Sequence, residues 1–581
     1  MLTGERRYWL GLLGIWLASA VALIALEHKA IASFHFWDPD DAMRLLEVRD
    51  WLGGQSWFDV SQHRMNLPDG LSMHWSRLLD LPLAGVIVAL RPLFGERAAE
   101  TAAAVIIPLV TLGATMTLVA QIARRRSGAG AGLLAGALTL TSIGAWYAML
   151  PMRIDHHGWQ IVAGLGMAYA LIFRSDLRGT VIAGLCAAAW IHISLEGLAF
   201  TAGAAAWLGL LWIGGAAQPR HRLPVFLATL SLAETILYLT VHGTGLLHQT
   251  FCDQLSPVHI GMFMLGAALS FAATAANPRH RIARLAILLP TALTCAAWFR
   301  LGAPQCAAGP FATLGPLGHD LWYRSVPEGV PLWHLAPNMQ LLWGIFPWVG
   351  LLGAVVTWRG AETGRIAHLT YCVLLGWATL IALLVMRTGA FANLLAIPGA
   401  VGLILSLARK TEALPMLPRV LARTAGILLL CPAGAESASL FVTASQEATS
   451  PKPAADPKCG LIDTLHPLDQ LAPATIIVPL ELGPNLLAGT HHRAITGPYH
   501  RDPAALEDVL RFFTAPDARD VAVRRNATYL AFCPARGEMG SMAKFAPHGL
   551  AARLLRGERP AWLKPVRVPQ GHGLELYRII P

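Results

Sequence analysis

Apolar stretches of about 20 residues, many of them bounded by arginines, recur along this chain from residue 8 to residue 443. About 20 apolar residues match the hydrocarbon thickness of a bilayer, and a helix satisfies its own backbone there. Only 14% of the 581 residues are charged and 55% are hydrophobic, whereas soluble chains carry about 25% charged residues. The pattern predicts a polytopic α-helical membrane protein. The 45 basic and 35 acidic residues leave a formal charge of +10. The basic residues fall mostly in short loops, where they set orientation, so no nucleic-acid partner is expected. The eight cysteines show neither CxxC nor Cys/His ligand spacing, which argues against a zinc or haem site.

Thirteen spans are predicted, near 8–26, 102–122, 130–150, 158–174, 179–196, 198–214, 223–242, 257–276, 283–300, 338–358, 366–386, 390–408 and 420–443. The first is longer than a signal-peptide core and lacks a clear small-residue cleavage site, so it reads as an anchor. The stretch 79–97 is short and broken by Arg91, Pro92 and Glu96, which suits an amphipathic surface or re-entrant helix. Leaving it out puts Arg124-Arg125-Arg126, Arg174 and Arg178, Arg220 and Arg222, Arg279 and Arg281, Arg359 and Arg365, and Arg409-Lys410 on one side. By the positive-inside rule that side is cytoplasmic.

The opposite side then receives 27–101, Arg153 to His157, a loop at 301–337 and the tail. Residues 1–445 form the membrane part and 450–581 a small C-terminal α/β domain, periplasmic in a bacterial inner membrane. In that domain TIIVPLEL reads as a strand and DPAALEDVLRFFTA as a helix. Cys252 and Cys306 fall in external loops, and Cys459 and Cys533 in the tail. An oxidising compartment permits these to pair; four free thiols fit the sequence equally well.

Two acidic clusters lie at span ends on the external side. Phe36-Trp37-Asp38-Pro39-Asp40-Asp41 follows the first span, and Arg153-Ile154-Asp155-His156-His157 follows the third. Carboxylates at a bilayer edge are expensive and tend to mark function. Asp38, Asp40, Asp41 and Asp155 with His156 or His157 offer a hard-oxygen and imidazole ligand set for Mg²⁺ or Mn²⁺. The plainer alternative is a solvated helix cap at Asp-Pro-Asp-Asp. Glu328, in Ser325-Val326-Pro327-Glu328, sits in the 301–337 loop, whose length is more common in functional loops than in connectors; taken alone, it reads as surface decoration. Arg387 ends the eleventh span on the same face, where it either holds a phosphate bidentately or snorkels to the interface. His192 and Glu196 lie near a span end, as a buried polar pair or as substrate contacts.

The segments WDPDDAMRLLEVRDWL, NLPDGLSMHWSRLLDLPLA, RIDHHGWQ and SVPE resemble the catalytic subunits of oligosaccharyltransferases, of the GT-C glycosyltransferase superfamily, and most nearly the single-subunit archaeal and bacterial forms. The resemblance covers roughly residues 1–440. It implies a GT-C membrane fold and transfer of a sugar or oligosaccharide from a polyprenyl-linked phosphate or pyrophosphate donor to an external protein, glycan or lipid acceptor. It also implies that Asp38 and Asp155 bind the metal with His157 or His156, that Asp38 polarises the acceptor, that Glu328 touches metal or acceptor, and that Arg387 holds donor phosphates. Two departures stand out. The family's Trp-Trp-Asp motif is missing from the tail, whose one tryptophan is Trp562, and Gln160 stands where archaeal relatives often carry an acid. The acceptor is therefore expected to be something other than an asparagine sequon, and the chain's own Asn526-Ala527-Thr528 reads as a chance occurrence. Two other readings stay open: a GT-C enzyme that uses a polyprenyl-monophosphate sugar to modify a lipid or polysaccharide, and a lipid-glycan transporter or flippase.

The topology is open to direct test. An impermeant thiol reagent is expected to label a cysteine placed at 450–455 and to leave one placed at Ser127 untouched. The reverse pattern overturns the sidedness of both acidic clusters.

Overall fold

The computed structural model describes residues 4–216, 218–326, 329–447, 458–534, 537–569 and 572–580. Among these, eight helices are long and apolar enough to cross a bilayer singly, and two bent pairs raise the number to ten. Three further apolar helices, His157–Phe173, Leu177–Ile193 and Gly197–Ile213, have 17 residues each. Seventeen residues span about 26 Å, near the lower limit for crossing. With these, all thirteen expected segments are helical. Two of the thirteen segments are bent. Ala129–Thr139 and Ile143–Met149 meet at 58°, and Met416–Leu430 and Pro432–Leu440 at 75°. The second bend falls at Cys431, held extended before Pro432, as a residue preceding proline is disposed to be.

The stretch 79–97 forms a helix, Asp80–Phe94, that buries Leu83, Ala84 and Ile87 and stops at Gly95. Gly95 takes φ +82°, and the next helix, Glu96–Ser127, starts at once and outruns its expected span at both ends. The helix Arg281–Gly302 buries none of its residues and exposes Ile282, Leu289, Leu293 and Leu301. Apolar side chains without protein partners suit a lipid-facing wall.

Helix packing is tightest between Pro337–Arg359, here α1, and Gly389–Lys410, here α2. Small residues allow backbones to approach closely where lipid offers no hydrophobic drive. A Cβ on Gly353 would lie 2.0 Å from the Gly399 carbonyl oxygen, and one on Gly399 would lie 2.1 Å from that of Gly350. Pro398 interrupts the α2 ladder. The Tyr371 hydroxyl fits in beside it, donating to Leu395 O at 2.7 Å and accepting from Gly399 N at 2.9 Å.

The C-terminal segment carries a five-stranded sheet. Its strands are β1 (Thr475–Ile477), β2 (Arg493–Ala494), β3 (Tyr529–Phe532), β4 (Leu563–Val566) and β5 (Glu575–Ile579), in spatial order β2-β1-β3-β5-β4. The pairs β1–β2 and β1–β3 are parallel; β3–β5 and β4–β5 are antiparallel. TIIVPLEL thus supplies β1, and DPAALEDVLRFFTA a helix, Pro503–Thr514, capped by the Asp502 side chain on Ala505 N–H. Most of the Pro/Ala-rich PKPAADPK segment lies outside the described residues.

This segment packs on the loop after the first span. Arg64 donates to the carbonyls of Leu487 and Thr490 at 2.9 and 2.7 Å, and Arg49 to that of Ala488 at 2.7 Å. It also holds the 301–337 loop, because the Glu507 carboxylate accepts the N–H groups of Leu317 and Gly318 at 3.2 and 3.0 Å. That loop is built of short turns, among them a π turn at Gly318–Trp322. Both candidate disulfides form, Cys252–Cys306 and Cys459–Cys533. The first ties the loop after Arg222–Val241 to the start of the 301–337 loop. The segments 27–101, 242–256, 301–337 and the C-terminal sheet therefore meet on one face of the bundle.

The glycine contact gives a stability expectation. Gly399→Val drives a branched side chain into backbone, and overpacking of this kind costs about 3 kcal/mol. Reversible unfolding in mixed micelles is expected to show that loss, while Gly364→Ala, in open space between helices but at φ +64°, costs about 1 kcal/mol.

Candidate functional site

The first acidic cluster opens the helix Pro39–Leu52, here α3. Asp38 caps it, with its Oδ1 accepting Asp40 N–H at 3.0 Å and Pro39 in the first turn. The capping alternative is thus part of the structure, but Asp38 Oδ2 faces Arg153 Nη1 at 3.4 Å. Asp41 is fully buried one turn later. Its Oδ1 accepts the backbone N–H groups of Ile154 and Asp155 at 2.7 and 2.9 Å, and its Oδ2 lies 3.4 Å from Arg153. One side chain therefore holds the second acidic cluster against the first. Burial pushes the Asp41 carboxyl up to about 7 against the pull of Arg153.

The second cluster turns sharply. Met152 takes φ +72° while completely buried, a conformation that strains a non-glycine residue. Beyond it, Asp155 pairs with the His156 ring and lies 3.3 Å from His157 Nε2. Burial opposes ionisation of Asp155, yet the two imidazoles outweigh it and hold the group well below the usual carboxylate range. The Tyr147 hydroxyl is 3.1 Å from His157 Nε2. Ligand atoms of Asp155, His156 and His157 all fall within 4.8 Å of one another. A carboxylate with two imidazoles suits a divalent transition ion such as Mn²⁺. Asp38 stands outside this group, facing Arg153.

The wall behind these clusters is itself charged. Arg44 Nη1 bonds Glu47 at 3.0 Å and Asp80 at 3.1 Å, and Arg77 Nη1 bonds Asp80 at 3.1 Å. All four side chains are buried. Arg44 also lies 4.6 Å from the centre of the Trp75 ring, so this network props a ring that faces the cavity.

Asp38, Asp40, His156, His192, Glu196 and Arg387 line one cavity of about 590 Å³. The sequence left His192 and Glu196 undecided between a mutual pair and substrate contacts. They pair with other residues: Arg387 Nε is 2.5 Å from Glu196 Oε1, and His192 Nδ1 is 3.2 Å from Glu234 Oε2. Glu328 lies outside the described residues.

The sequence reading passed over a third group on this cavity. His500 Nε2 lies 2.9 Å from Asp253 Oδ2, and Arg501 grips the same carboxylate at 2.6 and 2.8 Å. His74 completes the group, its ring 5.2 Å from that of His500. Burial opposes ionisation of Asp253, but the Arg501 and His500 hydrogen bonds hold it far below the usual carboxylate range. These three ligand-type residues and Arg501 are scattered over more than 400 positions, and the adjacency of Asp253 to Cys252 was the one local signal. The guanidinium fork already satisfies Asp253, so this cluster works as an ion-pair clamp between the C-terminal segment and the loop before Pro257–Ala276.

The Asp41 clamp can be tested. Asp41→Ala leaves two buried N–H groups without an acceptor, at about 3 kcal/mol, whereas Asp41→Asn keeps an acceptor oxygen. Unfolding is expected to show a clearly larger loss for the alanine variant; equal losses overturn the clamp.

No family model matches the chain, and no curated protein is similar to it in sequence. Its fold is similar to that of solved structures of the archaeal oligosaccharyltransferase AglB from Archaeoglobus fulgidus. A complex with an inhibitory peptide and a dolichol-phosphate aligns at 15% identity with a TM-score of 0.68, covering 97% of this chain and 73% of that one. A form tethered to an acceptor peptide containing the NVT sequon aligns at 15% identity and TM-score 0.65, covering 99% and 75%. A complex with Zn and sulfate aligns at 16% identity and TM-score 0.63, covering 92% and 70%. The chain thus shares the fold of these structures, a bundle of helices long and apolar enough to cross a membrane with a C-terminal sheet region.

Proposed function

We propose that this protein is a GT-C glycosyltransferase that moves a sugar or oligosaccharide from a polyprenyl-linked phosphate or pyrophosphate to an acceptor outside the membrane. The observation that carries the reading is the cavity lined by Asp38, His156 and Arg387, with Asp155 and His157 grouped around His156 behind its wall. The fold shared with the archaeal oligosaccharyltransferase supports it. The cavity wall from Ile191 to Leu198 and at Phe299 belongs to span ends and is rich in apolar side chains, a surface suited to a polyprenyl chain. Arg387, poised against Glu196, is the group for the donor's phosphates, where a guanidinium fork fits two oxygens.

Asp155, His156 and His157 are the residues to hold a divalent cation, Mn²⁺ or Mg²⁺, with Asp38 and Glu328 as further ligands. Bound there, it supplies Lewis-acid neutralisation of charge on the leaving phosphate. Asp38 orients the acceptor and takes its proton, while Arg153 stands 3.4 Å from both Asp38 and Asp41. The C-terminal segment holds its one tryptophan, Trp562, against Phe512 in its own core, so it presents no tryptophan pair to a sequon. The active face and C-terminal segment are periplasmic in a bacterial inner membrane in this reading.

Asp38→Asn and Asp155→Asn are each expected to lower transfer from extracted polyprenyl-linked glycans at least about a hundredfold, as the loss of roughly 3 kcal/mol of transition-state stabilisation. Expression and unfolding should stay near wild type. EDTA should abolish transfer, and added Mn²⁺ or Mg²⁺ should restore it. Near-normal transfer by the Asp155 variant, or indifference to EDTA, sinks the metal site.

A further inference from the structure

One side of the cavity remains without a role: an aromatic wall contributed by the 301–337 loop and the C-terminal segment. Phe311 lies 4.9 Å from Tyr323 and 6.1 Å from Trp322, ring centre to ring centre. His500 closes on Phe311 edge-on at 4.9 Å and stacks over Trp322 at 6.4 Å. All four rings line the cavity, and Phe311, Trp322 and Tyr323 are each partly exposed. Polar groups of Gln254, Glu481 and Asp40 line the same cavity. The wall is held in place before any ligand arrives. The Cys252–Cys306 bridge anchors the loop's first turn, Glu507 takes its Leu317 and Gly318 N–H groups, and Arg501 clamps Asp253 beside the bridge. Preorganised rings spare a ligand the cost of ordering them.

We infer that this wall is the acceptor subsite and that the acceptor is a carbohydrate, an inference that rests on the glycosyltransferase reading above. A pyranose presents a face of C–H bonds and a rim of hydroxyls. Ring faces take the first, and carboxylate, amide and imidazole groups take the second. An acceptor peptide would call for main-chain partners, but this wall is made of helical turns whose N–H groups are already bonded within the protein at Leu317, Gly318 and His319. In the transfer, an acceptor hydroxyl oxygen bonds to the donor's anomeric carbon as the bond from that carbon to the phosphate oxygen breaks. The electron pair leaves with the phosphate, and the hydroxyl proton passes to Asp38.

The test separates binding from transfer. The protein in lipid nanodiscs, without donor, is mixed with neutral oligosaccharides released by mild acid from the envelope of the organism that encodes it. Saturation-transfer NMR is expected to mark C–H protons on one sugar face. Phe311→Ala and Tyr323→Ala should weaken that binding about tenfold, as the loss of one stacked ring, while Tyr323→Phe should keep it. Saturation of an Asn-x-Thr peptide in place of the sugars, no saturation with any envelope fraction, or undiminished binding by both alanine variants overturns the inference. Polyprenyl-linked glycan donors are then added. Sugar binding without any turnover of donor, by transfer or by hydrolysis, leaves the wall standing as a carbohydrate site and sinks the glycosyltransferase reading, and with it the acceptor role. Transfer to peptide asparagine upholds the reading and sinks the subsite.

Discussion

Asp41 is the residue on which the arrangement of this face depends. Its carboxylate accepts two consecutive backbone N–H groups from the Ile154–Asp155 turn and stands against Arg153. Without it, the loop between the third span and His157–Phe173 would have to satisfy buried N–H groups elsewhere, and an unpaired buried donor costs about 1–3 kcal/mol. The strained Met152 shows that this turn is over-determined by its surroundings. Both acidic motifs thus meet through side-chain-to-backbone hydrogen bonds as well as through the Arg153 ion pairs, and Asp155 is aimed by a residue 114 positions away.

A buried network of charges stands behind that contact. Arg44, Glu47, Arg77 and Asp80 are buried together. Buried ion pairs add little net stability, but breaking one by removing a partner costs about 3–5 kcal/mol. Such a network tolerates few alternative packings. Here it fixes the roll of α3 about its axis, which places Asp38 and Asp40 toward the cavity and Asp41 toward the protein.

The outer half of the cavity is assembled from pieces far apart in the chain. The bridge at Cys252–Cys306, the Arg501 fork on Asp253 and the Glu507 carboxylate on Leu317 and Gly318 join two loops and the C-terminal segment. These ties lie among loops and the C-terminal segment, while the ends of apolar helices form the inner half of the cavity. That division matches a proposed chemistry in which a lipid-borne donor enters between spans and a water-borne acceptor enters from outside.

Hydrophobic length and arginine placement were enough to locate all thirteen helical segments, because burying apolar side chains in lipid is a local property of about 20 residues. The acidic clusters were equally legible, since carboxylates at span ends are costly wherever they occur. The bends at Thr141 and Cys431 were not, for a bent pair has the same hydropathy as a straight span. Nor were the pairings. His192 lies four residues from Glu196 on the chain but bonds Glu234, while Glu196 meets Arg387 and Asp253 meets Arg501. The sequence by itself determined the membrane class, the helical segments and which residues carry charge at the span ends. Only the tertiary structure decided which charges meet, because partners are chosen by the packing of helices and loops, and separation along the chain does not constrain that packing.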